Sequence, residues 1–155
     1  DIVFTMLPDT PDVEAVLFGP GGVASGLRRG QVVVDMSSIS PVETRRFAAR
    51  IEALGADYLD APVSGGDVGA RNATLSIMVG GDRAVFDATR PLFEAMGRRV
   101  MYLGGAGAAG QRIGARRIGS SQNARRRLSR TAEAVEIDGI TSDRSKCDAA
   151  SVVGQ

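Results

Sequence analysis

The chain has no histidine, no tryptophan and one cysteine, Cys147. A histidine-dependent catalytic triad, a zinc site of cysteine and histidine ligands, and a disulfide framework within the chain are therefore excluded. So sparse a use of cysteine is typical of proteins of the reducing cytoplasm, and we expect that location.

Lysine is nearly absent as well, because Lys146 is the only one among nineteen basic side chains. The others are arginines, which stay protonated to roughly pH 12 and serve poorly as acid/base groups at neutral pH. Residues 1–111 carry ten arginines against thirteen acids, whereas residues 112–155 carry nine basic residues against five acids. We predict a domain over 1–111 and an arginine-rich tail over 112–155, disordered or loosely helical.

Long apolar runs are also missing. None approaches the roughly 20 residues that a membrane span needs, and there is no signal peptide. We therefore expect no membrane partner. The arginines at 125–127 could touch nucleic acid, but without aromatic platforms beside them we favour a solvated tail and expect no nucleic-acid partner. The chain opens without methionine, directly on the apolar run Ile2–Leu7, which indicates a fragment of a longer protein.

Short apolar runs alternate with segments of helical periodicity. Ile2–Leu7 is typical of a strand buried on both faces of a sheet, and a helix capped by Thr10 follows, with Val13, Val16 and Leu17 on its inward face. The plan then repeats, with a strand over Val32–Met36 and a helix opened by the capping box Ser40–Glu43.

The second half of 1–111 continues the alternation. We expect strands over Tyr58–Val63, Leu75–Val79 and Val100–Leu103, and a helix over Asp82–Met96 whose inward stripe includes Leu92 and Phe93. Strands separated by helices predict βαβ units. The fold class is therefore α/β, with a doubly wound, Rossmann-like sheet.

The segment Asp60–Gly81 reads DAPVSGGDVGARNATLSIMVGG and predicts a glycine-rich loop between two strands. Glycines let a backbone turn sharply and approach a ligand closely, and Ser64 adds a hydroxyl that both donates and accepts. Such a loop suits a carboxylate or a phosphate. The alternative remains open, since a glycine-rich connection is ordinary in any α/β protein. Asn72 fits either a substrate contact or, as we favour, the closing of a turn.

Three motifs resemble the β-hydroxyacid dehydrogenase family: FTMLPDTPDVEAV at 4–16, VVVDMSSISP at 32–41, and DAPVSGGDVGA followed by TLSIMVGG. The resemblance extends over residues 1–111 and is nearest to members that act on tartronate semialdehyde. It implies part of a Rossmann-like domain that lacks the first βαβ unit and the all-helical second domain. It also implies NAD or NADP as cofactor, a small hydroxy acid or its semialdehyde as substrate, and a homo-oligomeric parent enzyme.

The same resemblance implies site residues. The turn Leu7-Pro8 lies against the cofactor with Asp12 nearby, and Ser38 contacts its nicotinamide side. A hydroxyl that only caps the local turn is the alternative for Ser38, and Ser37 could share either role. Ser64, Gly65 and Gly66 hold the substrate carboxylate through a hydroxyl and backbone amides.

Two features of the family are missing. Its dinucleotide fingerprint is expected before Asp1, and Gly105–Gly110 matches GxGxxG without a following strand that ends in an acid, so we do not assign it to pyrophosphate. Relatives carry a catalytic lysine about three residues after the glutamine that matches Gln111, near Gly114, and none is present. We expect an oxidoreductase fragment that is inactive by itself, with a frameshift or truncation after Gln111. The alternative is a non-catalytic relative that binds a small carboxylate or a protein partner.

Overall fold

A computed structural model describes residues 1–112, so the predicted tail lies almost entirely outside the described residues. The strands are β1 (Ile2–Thr5), β2 (Val32–Asp35), β3 (Asp57–Asp60), β4 (Val63–Ser64), β5 (Leu75–Gly81) and β6 (Gly97–Gly104). The helices are α1 (Thr10–Phe18), α2 (Val23–Gly26), α3 (Pro41–Glu52), α4 (Gly66–Arg71) and α5 (Arg83–Met96). A further helix begins at Ala108.

Three parallel strands set the direction of the sheet. Thr5 on β1 pairs with Asp35 on β2, and Asp35 pairs with Asp60 on β3. Because the strands are parallel and these residues end them, all three carboxyl ends lie at one edge, which we call the carboxyl edge. Open α/β sheets bind ligands at this edge.

The sheet then reverses. β5 runs antiparallel to β3 and also pairs antiparallel with β4, while β6 runs parallel to β5. The prediction of one strand over Tyr58–Val63 is wrong, because the chain leaves the β3 ladder after Asp60. It passes through Ala61 and Pro62 before pairing again as β4. Proline has no amide to donate to a ladder, which favours a break at that point.

Helices cover both faces of the sheet, as the sequence predicts. One core joins α1 and α3 to β2 and β3 through Val13, Leu17, Val33, Phe47, Ile51 and Tyr58. The other joins α5 to β3 and β5 through Leu59, Ile77, Val79, Phe86 and Phe93. The two cores establish the layered α/β architecture of a Rossmann-like domain.

The ends of two helices differ in how well the sequence predicts them. Ser40 caps α3 as expected, with its hydroxyl accepting from the Glu43 amide at 3.5 Å. Thr10 does not cap α1, because it is already the first residue of the helix. Asp9 is the N-cap residue instead, and its carboxylate accepts from the Thr10 amide at 2.7 Å. The Thr10 hydroxyl instead accepts from the Ser40 amide at 3.2 Å and joins the two turns.

Several residues predicted to face inward are exposed. Phe4 is 42% exposed, so β1 is not buried on both faces. Val16 and Leu92 are 41% and 43% exposed, although their neighbours Leu17 and Phe93 are fully buried. The periodicity correctly predicts which face of each element is apolar, but these residues lie at the margin of that face, or on a strand with one neighbour, where nothing described covers them.

The start of α5 allows a stability prediction. The Asp82 carboxylate accepts from the amides of Ala84 and Val85 at 2.8 and 3.0 Å, so Asp82→Ala leaves two amides at the helix end without this partner. We expect the unfolding free energy to fall by about 1 kcal/mol in urea titrations. Asp87→Ala is the control, because its ion pair with Arg83 is exposed and should contribute less than about 0.5 kcal/mol. Equal losses in the two variants would contradict the capping role.

Candidate active site at the carboxyl edge

The first two turns of the carboxyl edge are joined by hydrogen bonds. The Leu7 amide donates to the Ser37 hydroxyl at 2.9 Å, so the turn after β1 is fixed to the turn after β2. Ser37 is 5% exposed, whereas Ser38 and Pro8 are exposed. The structure thus separates the two serines: Ser37 holds Leu7 in place, and Ser38 lies at the surface beside it.

The buried side chain of Asp35 stabilises the turn that contains Ser37. Asp35 is 1% exposed, and its Oδ1 accepts from the Thr5 hydroxyl at 2.9 Å and from the Ser37 amide at 3.1 Å. Its Oδ2 accepts from the Tyr58 hydroxyl at 3.1 Å. Burial raises the pKa of Tyr58 and the charge of Asp35 raises it further, so the phenol keeps its proton and remains a donor.

None of the motifs discussed above predicts this network. A signal for it exists, because two of the apolar strands end in aspartate, as VVVD and DYLD. A carboxylate at the end of a buried strand needs hydrogen-bond donors, which the neighbouring strands are best placed to supply.

The predicted carboxylate-binding residues lie where β4 ends and α4 begins. Ser64 ends β4 and is exposed, and Gly65 and Gly66 follow with φ of 137° and 60°. Both φ values lie where residues with side chains are rarely found, which explains the two glycines. A Cβ on Gly66 would meet nothing within 4 Å, so this backbone is open to solvent.

The prediction of an uninterrupted loop over Asp60–Gly81 is wrong. The short helix α4 begins directly after Gly65, and β4 precedes it. Asn72 forms the C-cap of α4, and its amide donates to the Val68 carbonyl at 3.1 Å, in keeping with the closing of a turn. Gly69 is buried against Leu75, which holds α4 to the start of β5.

A second buried acid lies at the end of β3. Asp60 is 4% exposed, and its Oδ1 accepts from the Gly107 amide at 2.8 Å. Its Oδ2 has no hydrogen-bond partner among the residues that the structure describes. Burial raises the pKa of Asp60, and the amides of Gly107, Ala109 and Gly110 oppose that rise. Within the GxGxxG match at Gly105–Gly110 a helix therefore begins at Ala108, and the Asp60 side chain holds its start.

Of the predicted site residues, Leu7 and Pro8 lie on the turn that Ser37 joins to the turn of Ser38, and Ser64, Gly65 and Gly66 lie together where β4 ends and α4 begins. No hydrogen bond within residues 1–112 joins Ser38 to Ser64. Asp12 lies exposed in the first turn of α1. The position near Gly114, where the resemblance expects a lysine, lies outside the described residues. The roles of these residues stay predictions.

Residues 1–112 show neither a metal-binding cluster nor a membrane-spanning helix. They contain no group of three or more aspartate, glutamate, histidine or cysteine side chains arranged to hold a metal ion. None of their helices is both long enough and apolar enough to cross a membrane.

The chain is similar to several known proteins over most of its length. The chain is 60% identical to 2-hydroxy-3-oxopropionate reductase of Escherichia coli over 107 residues, which are 69% of this chain and 37% of that protein. A structure of 3-hydroxyisobutyrate dehydrogenase from Mycobacterium tuberculosis with L-serine is 38% identical, with a TM-score of 0.68, and the match covers 72% of this chain and 38% of that one. A structure of Psf3 with NADP+ and 2-OPP is 32% identical, with a TM-score of 0.68, over 71% of this chain and 39% of that one.

These matches confirm the resemblance to hydroxyacid dehydrogenases and the Rossmann-like fold. The chain spans 37% of the length of the Escherichia coli relative. The sequence family described as the NAD binding domain of 6-phosphogluconate dehydrogenase matches residues 1–104, which include every element from β1 to β6. The chain belongs to this family of NAD binding domains.

Proposed function

We propose that the chain is part of the nicotinamide-binding domain of a reductase that interconverts a small hydroxy acid and its semialdehyde. One observation carries the proposal: the turn after β1 and the exposed Ser38 after β2 follow strands held in register at the carboxyl edge, and the exposed Ser64 ends β4, which the chain reaches from β3 through two residues. The 60% identity to a 2-hydroxy-3-oxopropionate reductase supports that compound, also called tartronate semialdehyde, as the substrate.

The cofactor is NAD or NADP, and its nicotinamide end is assigned to Leu7, Pro8 and Ser38, with Asp12 beside them. The hydrogen bond that joins the turn after β1 to the turn after β2 supports this assignment. Because Ser37 uses its hydroxyl to fix Leu7, the backbone of this turn is held still while the Ser38 hydroxyl stays available to a ligand. When bound, the reduced cofactor supplies a hydride to the substrate carbonyl.

The substrate carboxylate is assigned to Ser64, Gly65 and Gly66. A hydroxyl and amides in open backbone can donate to a carboxylate, and hydrogen bonds to an ionised acceptor are stronger than those between neutral groups. Gly65 and Gly66 are suited to this role because both have a positive φ, a backbone conformation that a residue with a side chain adopts only with strain. These residues bind and orient the substrate, and no proton transfer is assigned to them.

Proton transfer to the substrate oxygen has no good candidate near Gln111. Arg112 is the nearest basic residue, but a guanidinium keeps its proton at neutral pH. The only lysine of the sequence is Lys146. We therefore propose that the chain as given binds ligands without turning them over.

A chimera tests the function. The 107-residue segment of the Escherichia coli reductase that matches this chain is replaced by the corresponding residues of this chain, and reduction of tartronate semialdehyde is followed through NADH or NADPH absorbance. We expect kcat/KM within roughly tenfold of the parent, a change of about 1.4 kcal/mol in the activation free energy. A folded chimera that binds cofactor but shows no reduction would contradict the proposal and favour the non-catalytic alternative.

In that chimera, Ser64→Ala should raise KM for the semialdehyde roughly tenfold to a hundredfold, with a smaller effect on the affinity for cofactor. The reason is the loss of one hydrogen bond to a charged group, which contributes about 1.5–3 kcal/mol. Ser25→Ala is the matched control, because this exposed serine bonds only to the Gly22 carbonyl within its own turn. A KM that is the same in both variants would remove Ser64 from the substrate site.

A further inference from the structure

Asp60 occupies a place that the proposed function does not explain. It ends β3 in register with Asp35, yet within residues 1–112 Asp35 has donors on both carboxylate oxygens and Asp60 has a donor on Oδ1 but none on Oδ2. A buried carboxylate oxygen without a partner costs stability, so its presence here calls for an explanation. The partner of Oδ1, the amide of Gly107, lies 47 residues further along the chain.

Gly107 belongs to the turn Gly105–Gly107, which starts the helix at Ala108. The first amides of a helix have no partner within the helix, and a side chain that accepts from them fixes where the helix begins. Here the acceptor comes from a distant strand of the sheet. The helix start is therefore attached to the carboxyl edge.

The helix start also packs against the turn that contains Ser38. A Cβ on Gly107 would lie 2.9 Å from the Pro41 carbonyl oxygen, and a Cβ on Gly110 would lie 3.2 Å from Pro41 Cγ and 3.6 Å from the Ile39 carbonyl oxygen. Ile39 and Pro41 follow Ser38 closely in sequence. The contact with Asp60 thus holds Gly110 beside the residues that directly follow Ser38.

The fit around Asp60 leaves no spare room. A Cβ on Gly80, the residue paired with Asp60, would lie 2.5 Å from Asp60 Oδ1 and 2.9 Å from the Gly105 carbonyl oxygen. β3, β5 and the turn that begins at Gly105 therefore meet at the carboxylate. A side chain on β5 would displace the contact.

We propose that Asp60 is a positioning residue: its carboxyl group, held between β3 and β5, fixes the start of the Ala108 helix against the Ser38 turn. It touches neither the predicted substrate site nor the predicted cofactor site. The inference rests on the proposed function for its consequence in catalysis, but its structural part can be tested without catalysis.

The contact between Asp60 and the helix start should depend on pH, because it involves a titratable carboxyl group. The titratable groups around it are Asp35 on β2, Tyr58 on β3 and Arg45 on α3, whose side chain lies against Gly107. Because burial raises the pKa of Asp60 in the held state, the proton binds more tightly there than in an open state in which the carboxyl is hydrated. The contact between the Asp60 carboxyl and the start of the Ala108 helix is then most favourable below the ordinary aspartate pKa of about 3.9. It weakens as pH rises through the raised pKa.

Amide hydrogen exchange on the full 155-residue chain tests the structural part. In Asp60→Ala we expect the amides of Gly107, Ala109 and Gly110 to exchange at least about tenfold faster, with amides of β2 unchanged. Asp60→Asn keeps an Oδ1 acceptor and should retain their protection. Asp57→Ala, on the same strand, is the matched control and should leave these amides protected. Protection in Asp60→Ala equal to that of the control would overturn the proposal.

The pH dependence gives a second test that does not require the alanine variant to fold. We expect protection of the three amides in the unsubstituted chain, divided by that in Asp60→Asn, to fall as pH rises above about 4. The β2 amides of the same samples correct for global stability. A ratio that stays constant between about pH 4 and 8 would show that the Asp60 carboxyl is not coupled to the helix start, and would overturn the proposal.

The catalytic consequence is tested in the chimera. Asp60→Ala should lower kcat about tenfold or more while KM for the semialdehyde changes less than in Ser64→Ala, and Asp60→Asn should restore most of kcat. An Asp60→Ala chimera with unchanged kcat would overturn the positioning role. If the chimera itself is inactive, the proposed function fails, and the exchange experiments decide the structural inference separately.

Discussion

Replacing Gly81 by alanine is expected to lower the unfolding free energy by about 3–5 kcal/mol. Gly81 has a φ of 133°, where a residue with a side chain costs about 1–3 kcal/mol. An added Cβ would also lie 2.6 Å from Leu59 Cδ2 and 2.8 Å from the Tyr58 carbonyl oxygen, both on the fully packed β3. Crowding in a close-packed core adds about 1–3 kcal/mol.

The measurement is a urea titration followed by circular dichroism, with the midpoint and slope fitted together. Gly26→Ala provides the matched control, since a Cβ there meets nothing within 4 Å, and the change lies in helix α2. Because alanine favours helix over glycine, this control should be neutral or stabilising by up to about 1 kcal/mol. The expectation for Gly81 is wrong if both variants unfold at the same urea concentration.

Asp35→Ala should be the second strongly destabilising change, with a loss of about 3–5 kcal/mol. The substitution removes the acceptor for two hydroxyls, those of Thr5 and Tyr58, and for the Ser37 amide, all in a buried site. Each buried donor without a partner costs about 1–3 kcal/mol, and the three losses are not fully additive. Because domains of this size have only about 5–15 kcal/mol in total, this loss is a large share of the stability.

Asp35→Asn separates the lost acceptor from the lost charge. Its amide oxygen can still accept one or two of the three hydrogen bonds, so the destabilisation should be roughly half that of alanine. We also expect Asp35→Asn to weaken the binding of NADH or NADPH, because the Ser37 amide and hydroxyl link Asp35 to Leu7 in the predicted nicotinamide site. Fluorescence titration of the cofactor measures this effect. A loss smaller than about 1 kcal/mol for Asp35→Ala in urea would contradict the network's role in stability.

The sequence predicts the elements of the fold well because most of their signals are local. The apolar runs gave β1, β2 and β5, and the capping side chain of Ser40 lies within three residues of the amide it serves. The reversed direction of β5 is not a local property. LSIMVGG forms a buried strand in either direction, and the direction is set by the path of the chain through β4 and α4.

The candidate site divides in the same way. The motifs identify Ser38 and Ser64, but the separation of Ser37 from Ser38 depends on which hydroxyl reaches the Leu7 amide, a contact across 30 residues. The pairing of Asp60 with Gly107 spans 47 residues and leaves no periodic pattern in the sequence. Contacts of this kind follow from the register of the sheet, and single-sequence patterns do not encode register between distant strands.

Two of the strands that have a single neighbour, β1 and β6, differ in their tendency to aggregate. Within residues 1–112, β1 pairs with β2 alone and β6 with β5 alone, so each presents unpaired backbone groups on one side. β6 carries Arg98 and Arg99, both exposed, and charges of this kind discourage a second strand from adding to an edge. β1 has neither charge nor proline between Ile2 and Leu7, and Phe4 is exposed on it. Self-association of this polypeptide at high concentration should therefore begin at β1, and a lysine at Phe4 is the simplest way to improve its handling.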